Sequence, residues 1–353
     1  MFGTMKLGFG CMRLPKKGDQ VDIEEFSQMV DAFMQAGGCY FDTAHVYHGG
    51  QSETALKEAL AKRYPRDRYI LTNKLTQICY EREEEILPLF HAQLDACGVE
   101  YFDNYFFHAM RTNYHEKYTR TNAFSIVKQL KEEGKIRHIG MSFHDSPAFL
   151  RWVLENHEEI EMVQLQFNYA DADNPDVESL ACYEVCREFN KPVLVMEPIK
   201  GGTLANLGDE GRALLGNRAE AEFALRYCAS FPQIRMILSG MSSVEQMEQN
   251  IATFRSIQPL CQEEFAIADE LRMLVRKQET IPCTNCRYCT DGCPQGIPIP
   301  EIFAAYNARK LLRPYDCDVS GVANCVDCGA CEALCPQNIE IRKLLKRSAQ
   351  VLK

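Results

Sequence analysis

The strongest constraint on the fold is an alternation that repeats eight times. Between residue 5 and about residue 255, short apolar runs of strand character take turns with amphipathic stretches of helical period. The strand-like runs are Leu7–Gly10, Cys39–Asp42, Tyr69–Thr72, Phe102–Phe107, Ile136–Met141, Met162–Gln166, Pro192–Met196 and Arg235–Leu238. Helical patterns occupy Ile23–Gln35, Ser52–Arg63, Glu83–Ala96, Ala123–Glu133, Pro147–Glu155, Val177–Phe189, Ala219–Ala229 and Val244–Phe254. In the first of these, Phe26, Met29, Val30 and Phe33 recur at three- and four-residue steps, which gathers them on one face. Regular strand-then-helix order implies parallel strands joined by helical crossovers. Eight such units in roughly 250 residues is the count and length of a closed (β/α)8 TIM barrel. The competing open, doubly wound sheet needs a glycine fingerprint that opens a helix after its first strand. Here Gly8-x-Gly10 runs into Cys11-Met12-Arg13, with no third glycine and no helix start.

A second signal lies beyond the alternation. Cys283-x-x-Cys286-x-x-Cys289-x-x-x-Cys293-Pro294 is repeated as Cys325-x-x-Cys328-x-x-Cys331-x-x-x-Cys335-Pro336. This spacing wraps soft thiolates around a 4Fe–4S cubane. A structural zinc reading takes only two Cys-x-x-Cys pairs and leaves half of these cysteines unused. Between the runs, Ile299–Leu312 reads as a helix, with Ile302, Phe303 and Tyr306 on its apolar side. The layout resembles the helical two-cluster ferredoxin modules fused to redox enzymes. In such modules the fourth cysteine of each run ligates the other cluster. One cluster is therefore assigned to Cys283, Cys286, Cys289 and Cys335, the second to Cys325, Cys328, Cys331 and Cys293. The expected organisation is α/β: a barrel over residues 1–260, a helical connector over 261–280, and a small, mainly helical two-cluster ferredoxin-like domain over 281–353.

The net charge of −10 argues against a nucleic-acid surface, which needs concentrated Lys and Arg. No run approaches the roughly 18 apolar residues that span a bilayer, and the N-terminal stretch lacks the apolar core of a signal peptide. A cytoplasmic protein without a membrane partner is expected. Nine of the 17 cysteines fall outside the two runs and read as small buried hydrophobes. That many thiols, together with oxygen-sensitive clusters, suggests an anaerobic host.

Four polar residues fall where barrel strands end, the place where barrel chemistry sits. Asp42 ends the second strand, Tyr47 follows five residues later, Lys74 lies just past the third strand, and His108 ends the fourth. A carbonyl that accepts hydride becomes an alkoxide and needs a proton donor at its oxygen. Free Tyr has a pKa of about 10; a neighbouring ammonium favours the phenolate and lowers it. Asp42 would hold Lys74 charged and in place, and His108 would orient the carbonyl oxygen.

Gly10-Cys11-Met12-Arg13-Leu14-Pro15, Phe41-Asp42-Thr43-Ala44 with Tyr47 and Ser52-Glu53, Asn73-Lys74, His108 and Gly140-Met141-Ser142 resemble the aldo-keto reductases over roughly residues 5–255. The resemblance implies a TIM barrel and NAD(P)H-dependent reduction of a small-molecule carbonyl, or the reverse oxidation of an alcohol. It implies Tyr47 as the acid, Asp42 and Lys74 as its tuning pair, and His108 as the residue that orients the substrate. It also implies Ser142 and Gln164 at the nicotinamide amide and Met196 as the flat contact on the ring. Ser239, Gly240, Ser242, Gln246 and Asn250 are then the cofactor-binding residues after the eighth strand.

Three departures qualify the likeness. Phe143 stands where Asn usually follows the serine, and Met196 stands where an aromatic residue is common. No Lys or Arg occurs between Arg235 and Arg255. A 2′-phosphate needs charge-assisted partners, so NAD(H) is expected to be tolerated beside or ahead of NADP(H). Arg13, His45, His48 and Tyr114 are candidates to line the mouth, with Arg13 expected to pair with an acidic neighbour.

Nicotinamide passes two electrons as hydride, whereas an iron–sulfur centre passes one at a time; a flavin is the usual converter. No flavin motif is visible. Three readings follow. The first is a carbonyl reductase whose clusters are structural or carry electrons. The second, ranked next, is a ferredoxin-coupled reductase, flavin-assisted or not, in which the clusters supply electrons. The third is a non-catalytic redox or regulatory binding subunit, which the intact Asp42, Tyr47, Lys74 and His108 set argues against. The basic tail, with Arg342, Lys343, Lys346, Arg347 and Lys353, reads as a solvated helix ahead of a docking face for an acidic ferredoxin.

Overall fold

The computed structural model describes residues 2–311, 313, 315 and 317–352. Eight strands are barrel members: β1 Leu7–Gly10, β2 Tyr40–Asp42, β3 Ile70–Leu75, β4 Phe102–Met110, β5 Ile136–Phe143, β6 Met162–Gln166, β7 Val193–Met196 and β8 Ile234–Ser239. They close in the order β1-β8-β7-β6-β5-β4-β3-β2, every neighbouring pair parallel. A small antiparallel hairpin joins Lys16–Lys17 to Gln20–Val21.

The first strand–helix unit shows why the local sequence folds this way. Asp22 caps helix α1 (Ile23–Gln35), its carboxylate accepting from the amides of Glu24 and Glu25. The apolar face of α1 buries Phe26, Met29, Val30 and Phe33. Phe9 of β1 meets Phe26 and Phe33 edge-on, at 5.5 and 5.9 Å between centroids. Each such ring contributes roughly 2–3 kcal/mol by leaving water. Inside the barrel, Tyr40, Phe106, Met162, Leu194, Met236 and Leu238 form a dry plug. Gly140 is required beside it, because a Cβ there would stand 2.6 Å from Phe106 and 2.8 Å from Met162.

Two compact units divide the chain, and they do not follow chain order. The first is Met1–Phe167, Glu178–Pro198 and Cys228–Pro259, and it contains all eight strands. The second gathers Asn168–Val177, Ile199–Tyr227 and Leu260–Lys353. It therefore takes up the segments that leave β6 and β7, as well as the C-terminal region.

Within the second unit, the helix Gln262–Lys277 carries Glu264, whose carboxylate receives Arg226 at 2.6 Å and Arg218 at 3.1 Å. Burial pushes that carboxyl up, but the guanidinium groups outweigh it and hold it at about 2. Asp173 pairs with Arg272 and Arg276 of the same helix. Buried Lys200 pairs with fully buried Asp171. The cysteine-rich part packs Ile281, Ile297, Ile299, Ile302, Phe303, Tyr306, Ile341 and Leu345 around Cys289, Cys331 and Cys335. Helix Ile299–Lys310 and helix Ile341–Leu352 supply Ile299, Ile302, Phe303, Tyr306, Ile341 and Leu345 to this core. Leu312, the expected end of the first of these helices, lies outside the described residues, as does Lys353.

Candidate functional site

Strand register brings the polar strand-end residues to one level. Asp42 is the partner of both Gly10 and Thr72, Lys74 of Phe106, and Ser142 of Gln164. Side chains alternate along a strand, so Thr72 and Lys74 share the inner face of β3. Thr72 donates to Tyr40 Oη at 2.6 Å, and Lys74 Nζ reaches Asp42 Oδ1 at 2.6 Å.

Lys74 is fully buried and uses all three of its N–H donors. They go to Asp42 Oδ1 at 2.6 Å, the Thr43 carbonyl at 2.7 Å and Tyr47 Oη at 3.2 Å. The other Asp42 oxygen accepts from Gln164 Nε2 at 3.2 Å. Burial pushes the Lys74 ammonium down and the Asp42 carboxyl up, and each is drawn back by its partner. Tyr47 itself opens a tight turn in which His48, Gly49 and Gly50 all take positive φ, and it lies edge-on to His108 at 6.1 Å.

His108 is buried, and its Nδ1 lies 2.7 Å from Thr76 Oγ1. Burial, followed by the charge on Lys74, holds its pKa well below the usual imidazole value, so the ring is neutral. β4 runs on to Met110, past the apolar run that ends at Phe107. A register shift between Phe107 and Met110, with Ala109 at φ 54°, turns the strand end. The Ala109 amide donates to Ser142 Oγ at 2.8 Å.

Behind Lys74 stands a buried polar chain that sequence reasoning quoted only in part. Glu53, 1 % exposed, accepts from Asn73 Nδ2 and bonds His45 Nδ1, each at 2.8 Å. That bond to Glu53 raises the His45 pKa. Gln93 donates to Asn73 Oδ1 and to the Lys74 carbonyl and accepts from Tyr105 Oη at 2.6 Å. Thr76 also went unread; the only signal for it was a hydroxyl two residues beyond Lys74.

The residues expected at the cofactor are distributed as follows. Met196 ends β7 beside Gln166. Ser239 is buried and accepts from Asn250 Nδ2 at 3.0 Å. The Ser242 amide donates to Gln246 Oε1 at 2.9 Å, and Ser243 caps the helix Val244–Arg255. A Cβ at Gly240 would stand 2.8 Å from Arg13 Cδ, so a guanidinium arm does approach this segment. Its charge meets Glu197 at 3.1 Å, the acidic neighbour expected for it. His48 Nε2 accepts from the Leu14 amide at 3.1 Å, and Tyr114 lies beneath the Arg111 guanidinium at 5.9 Å.

In the second unit the eight run cysteines line two small cavities. Cys283, Cys286, Cys289 and Cys335 line one, with Phe303 and Ile339. Cys293, Cys325, Cys328 and Cys331 line the other, with Leu345 and Arg342. The fourth thiol of each run thus faces the other run's first three. Burial pushes the Cys289 thiol up, and Cys286, Cys283 and Cys335 push it the same way. Among the described residues no three His, Cys, Asp or Glu groups converge as they would on a single ion. Of the remaining nine cysteines, Cys11, Cys97, Cys182, Cys186 and Cys228 are buried, Cys39, Cys79 and Cys317 are intermediate, and Cys261 is exposed. The basic tail is largely neutralised: Arg342 pairs with Glu332 and Asp327, Lys343 with Glu340, and Lys346 with Asp327, while Arg347 covers the Tyr306 ring.

A closed parallel barrel with a lysine–carboxylate–phenol set at its strand ends, joined to a module of paired thiol cavities, defines an oxidoreductase-type barrel carrying an iron–sulfur domain. Comparison with known proteins makes this specific. Residues 6–273 match the aldo/keto reductase family and residues 282–340 the 4Fe-4S dicluster domain, and the chain belongs to the aldo/keto reductase family. A probable aldo-keto reductase 1 of Glycine max is 27 % identical over 216 residues, 59 % of either chain. The NADH-specific methylglyoxal reductase of Escherichia coli K12 is 23 % identical over 275 residues, 63 % of this chain and 81 % of that protein. Among solved structures, the holo aldo-keto reductase of Bacillus halodurans superposes with a TM-score of 0.63 at 24 % identity, covering 77 % of this chain and 95 % of its own. An aldo/keto reductase of Klebsiella pneumoniae in complex with NADP and acetate also gives 0.63, at 19 % identity, covering 76 % and 91 %. At these identities the structural likeness establishes the fold. Among the described residues no helix is long and apolar enough to cross a membrane.

Proposed function

We propose that the chain is an NAD(P)H-dependent carbonyl reductase, or the reverse alcohol dehydrogenase, with Tyr47 as general acid/base and two 4Fe–4S clusters in its C-terminal module. The observation that carries this reading is the Lys74 ammonium, bonded at once to Asp42 and Tyr47. Lys74 donates to the phenolic oxygen, so Tyr47 keeps its own proton to give to a substrate oxygen. The positive charge stabilises the phenolate left behind. Neutral His108, with Thr76 donating to Nδ1, turns an Nε2–H toward the same oxygen.

The residues suit a nicotinamide. Register partners Ser142 and Gln164 offer a hydroxyl proton and a carbonyl oxygen, the pair of groups that a carboxamide complements. The capped N-terminus of the helix Val244–Arg255 suits a pyrophosphate. Bound NAD(P)H would supply the hydride, and the clusters would exchange single electrons. Tolerance of NAD(H) is favoured by the absence of Lys and Arg between Arg235 and Arg255 and by the pairing of Arg13 with Glu197. Both cofactors occur among relatives and structural neighbours, in the NADH-specific E. coli enzyme and the NADP complex from Klebsiella.

Substituting Tyr47→Phe tests the core claim. Nicotinamide-dependent carbonyl reduction should be abolished while cofactor binding persists, and retained activity would sink it. Titration with NADH and NADPH tests the cofactor preference, with a strong NADPH preference as the contrary result.

A second reading has one observation in its favour. Cys328 is the only exposed cysteine of the eight, and its neighbour Val326 is 60 % exposed, so a thiol of this module lies at the surface. That suits electron exchange with an external ferredoxin-type carrier. Reduction of a carbonyl by reduced ferredoxin without nicotinamide would favour this reading. A flavin peak in the absorption spectrum after anaerobic purification would supply its converter.

A further inference from the structure

The helix Thr112–Arg120 leaves β4 four residues after His108 and carries His115. The helix Pro147–Asn156 ends at its cap, His157. The Nε2 atoms of these two imidazoles face each other at 2.9 Å. His157 Nδ1 lies 3.0 Å from Glu159 Oε1, and both side chains are mostly buried. Phe124 stacks on the His157 ring at 3.9 Å, and Trp152 meets His115 edge-on at 5.0 Å. None of these residues takes part in the site described above.

The carboxylate decides the tautomer. Nδ1–H of His157 is donated to Glu159, so Nε2 of His157 carries a lone pair and His115 supplies the shared proton from its own Nε2. Two nitrogens that share one proton, backed by a carboxylate on the far ring nitrogen, form the arrangement that binds a borderline metal ion when the proton gives way.

We propose that His115 and His157 form a binding site for a borderline divalent cation such as Zn²⁺ or Ni²⁺, with Glu159 as the outer partner and solvent filling the remaining positions. Binding moves the His115 proton from Nε2 to Nδ1, so the neutral pair releases no proton; a protonated imidazole would release one. At metal–nitrogen distances of about 2.0–2.1 Å, tetrahedral geometry sets the two nitrogens roughly 3.3 Å apart. The gap therefore opens by a few tenths of an ångström. The partly exposed Trp152 beside it leaves room for that opening.

Trp152 is the only tryptophan in the chain, so its emission reports this site alone. The test titrates NiCl2 into the anaerobically purified full-length protein and follows that emission. Saturable quenching is expected, blocked by prior addition of ZnSO4. His115→Gln and His157→Gln should each abolish it. Glu159→Gln keeps both imidazoles and serves as a second variant should those fail to fold; its midpoint should rise by about 10- to 100-fold. Absence of saturable quenching, equal quenching in the histidine variants, or an unchanged midpoint in Glu159→Gln would each overturn the proposal.

Discussion

Lys74 points a hydrogen at the phenolic oxygen of Tyr47 across 3.2 Å, while its shortest bond, 2.6 Å, goes to Asp42. The ammonium thus links the Asp42 carboxylate to the Tyr47 phenol. Replacing Lys74 by Met removes the tuning charge but also strands Asp42, and breaking a buried pair from one side costs roughly 3–5 kcal/mol. The double variant Asp42→Asn, Lys74→Met avoids that cost. We expect it to melt within a few degrees of the parent and to lose about 10²-fold or more in kcat. Steady-state rates and a thermal melt check this; a double variant with kcat within about threefold of the parent would remove Lys74 from the chemistry.

Thr76 makes a separable prediction. Its hydroxyl lies 2.7 Å from His108 Nδ1, and the neutral ring can present Nε2–H to a substrate only if Thr76 is the donor. Thr76→Val keeps the shape and frees the tautomer. A fall in kcat/KM of roughly tenfold is expected, about 1.4 kcal/mol, with the melting temperature little changed. His108 is already neutral at neutral pH, so the acid limb of the pH profile should stay where it is; a shifted limb would show that His108 titrates there.

Asp42, Lys74 and His108 could be singled out in the sequence because each is a polar residue at the carboxyl end of an apolar strand run, where barrel chemistry sits; Tyr47, in the turn beyond β2, was legible only through the motif that follows Asp42. The facing thiol cavities were legible because cysteine spacing is a local property with a known three-dimensional consequence. Thr76 was not legible: one hydroxyl in a loop carries no pattern until its partner is known. Arg13 and Glu197 stand 184 positions apart, and only β1 and β7 closing into one barrel brings them together. The extension of β4 past Phe107 was hidden because His108 breaks the apolar run and Ala109 takes a positive φ. The grouping of 168–177 and 199–227 with the C-terminal region rests on pairs such as Asp173–Arg276, which no local pattern announces.

Acid stability should depend on Glu161. Burial pushes its carboxyl up, but His138 at 2.9 Å, Lys131 at 2.6 Å and the Ile139 amide at 2.8 Å outweigh that and hold it at about 2. A carboxyl with a depressed folded-state pKa stabilises the protein above its unfolded value of 4.5. That stabilisation is lost as pH falls from there toward 2. The full shift corresponds to roughly 3 kcal/mol at about 1.4 kcal/mol per pKa unit, an upper bound that solvent screening at this partly exposed site lowers. Glu161→Gln should lower the melting temperature at pH 7 and flatten its decline between pH 5 and pH 3. An unchanged slope would mean that other carboxylates control acid unfolding.

The pairing of cysteines admits a decisive comparison. Cys283 shares a cavity with Cys335, and it shares a sequence run with Cys293, which lines the other cavity. If clusters follow the cavities, the double variant Cys283→Ala, Cys335→Ala damages one cluster and leaves about four of about eight irons per chain. The double variant Cys283→Ala, Cys293→Ala then strikes both clusters and leaves far fewer. If each run held its own cluster, the two outcomes would exchange. Because Cys289, Cys331 and Cys335 also belong to the core around Ile302 and Phe303, loss of both clusters should unfold the module. Chelation of iron should therefore lower the far-ultraviolet helical signal by the share of helices Ile299–Lys310 and Ile341–Leu352. Iron and sulfide analysis of the two double variants, read beside circular dichroism, separates the schemes, and an unchanged iron content in both would exclude these thiols as ligands.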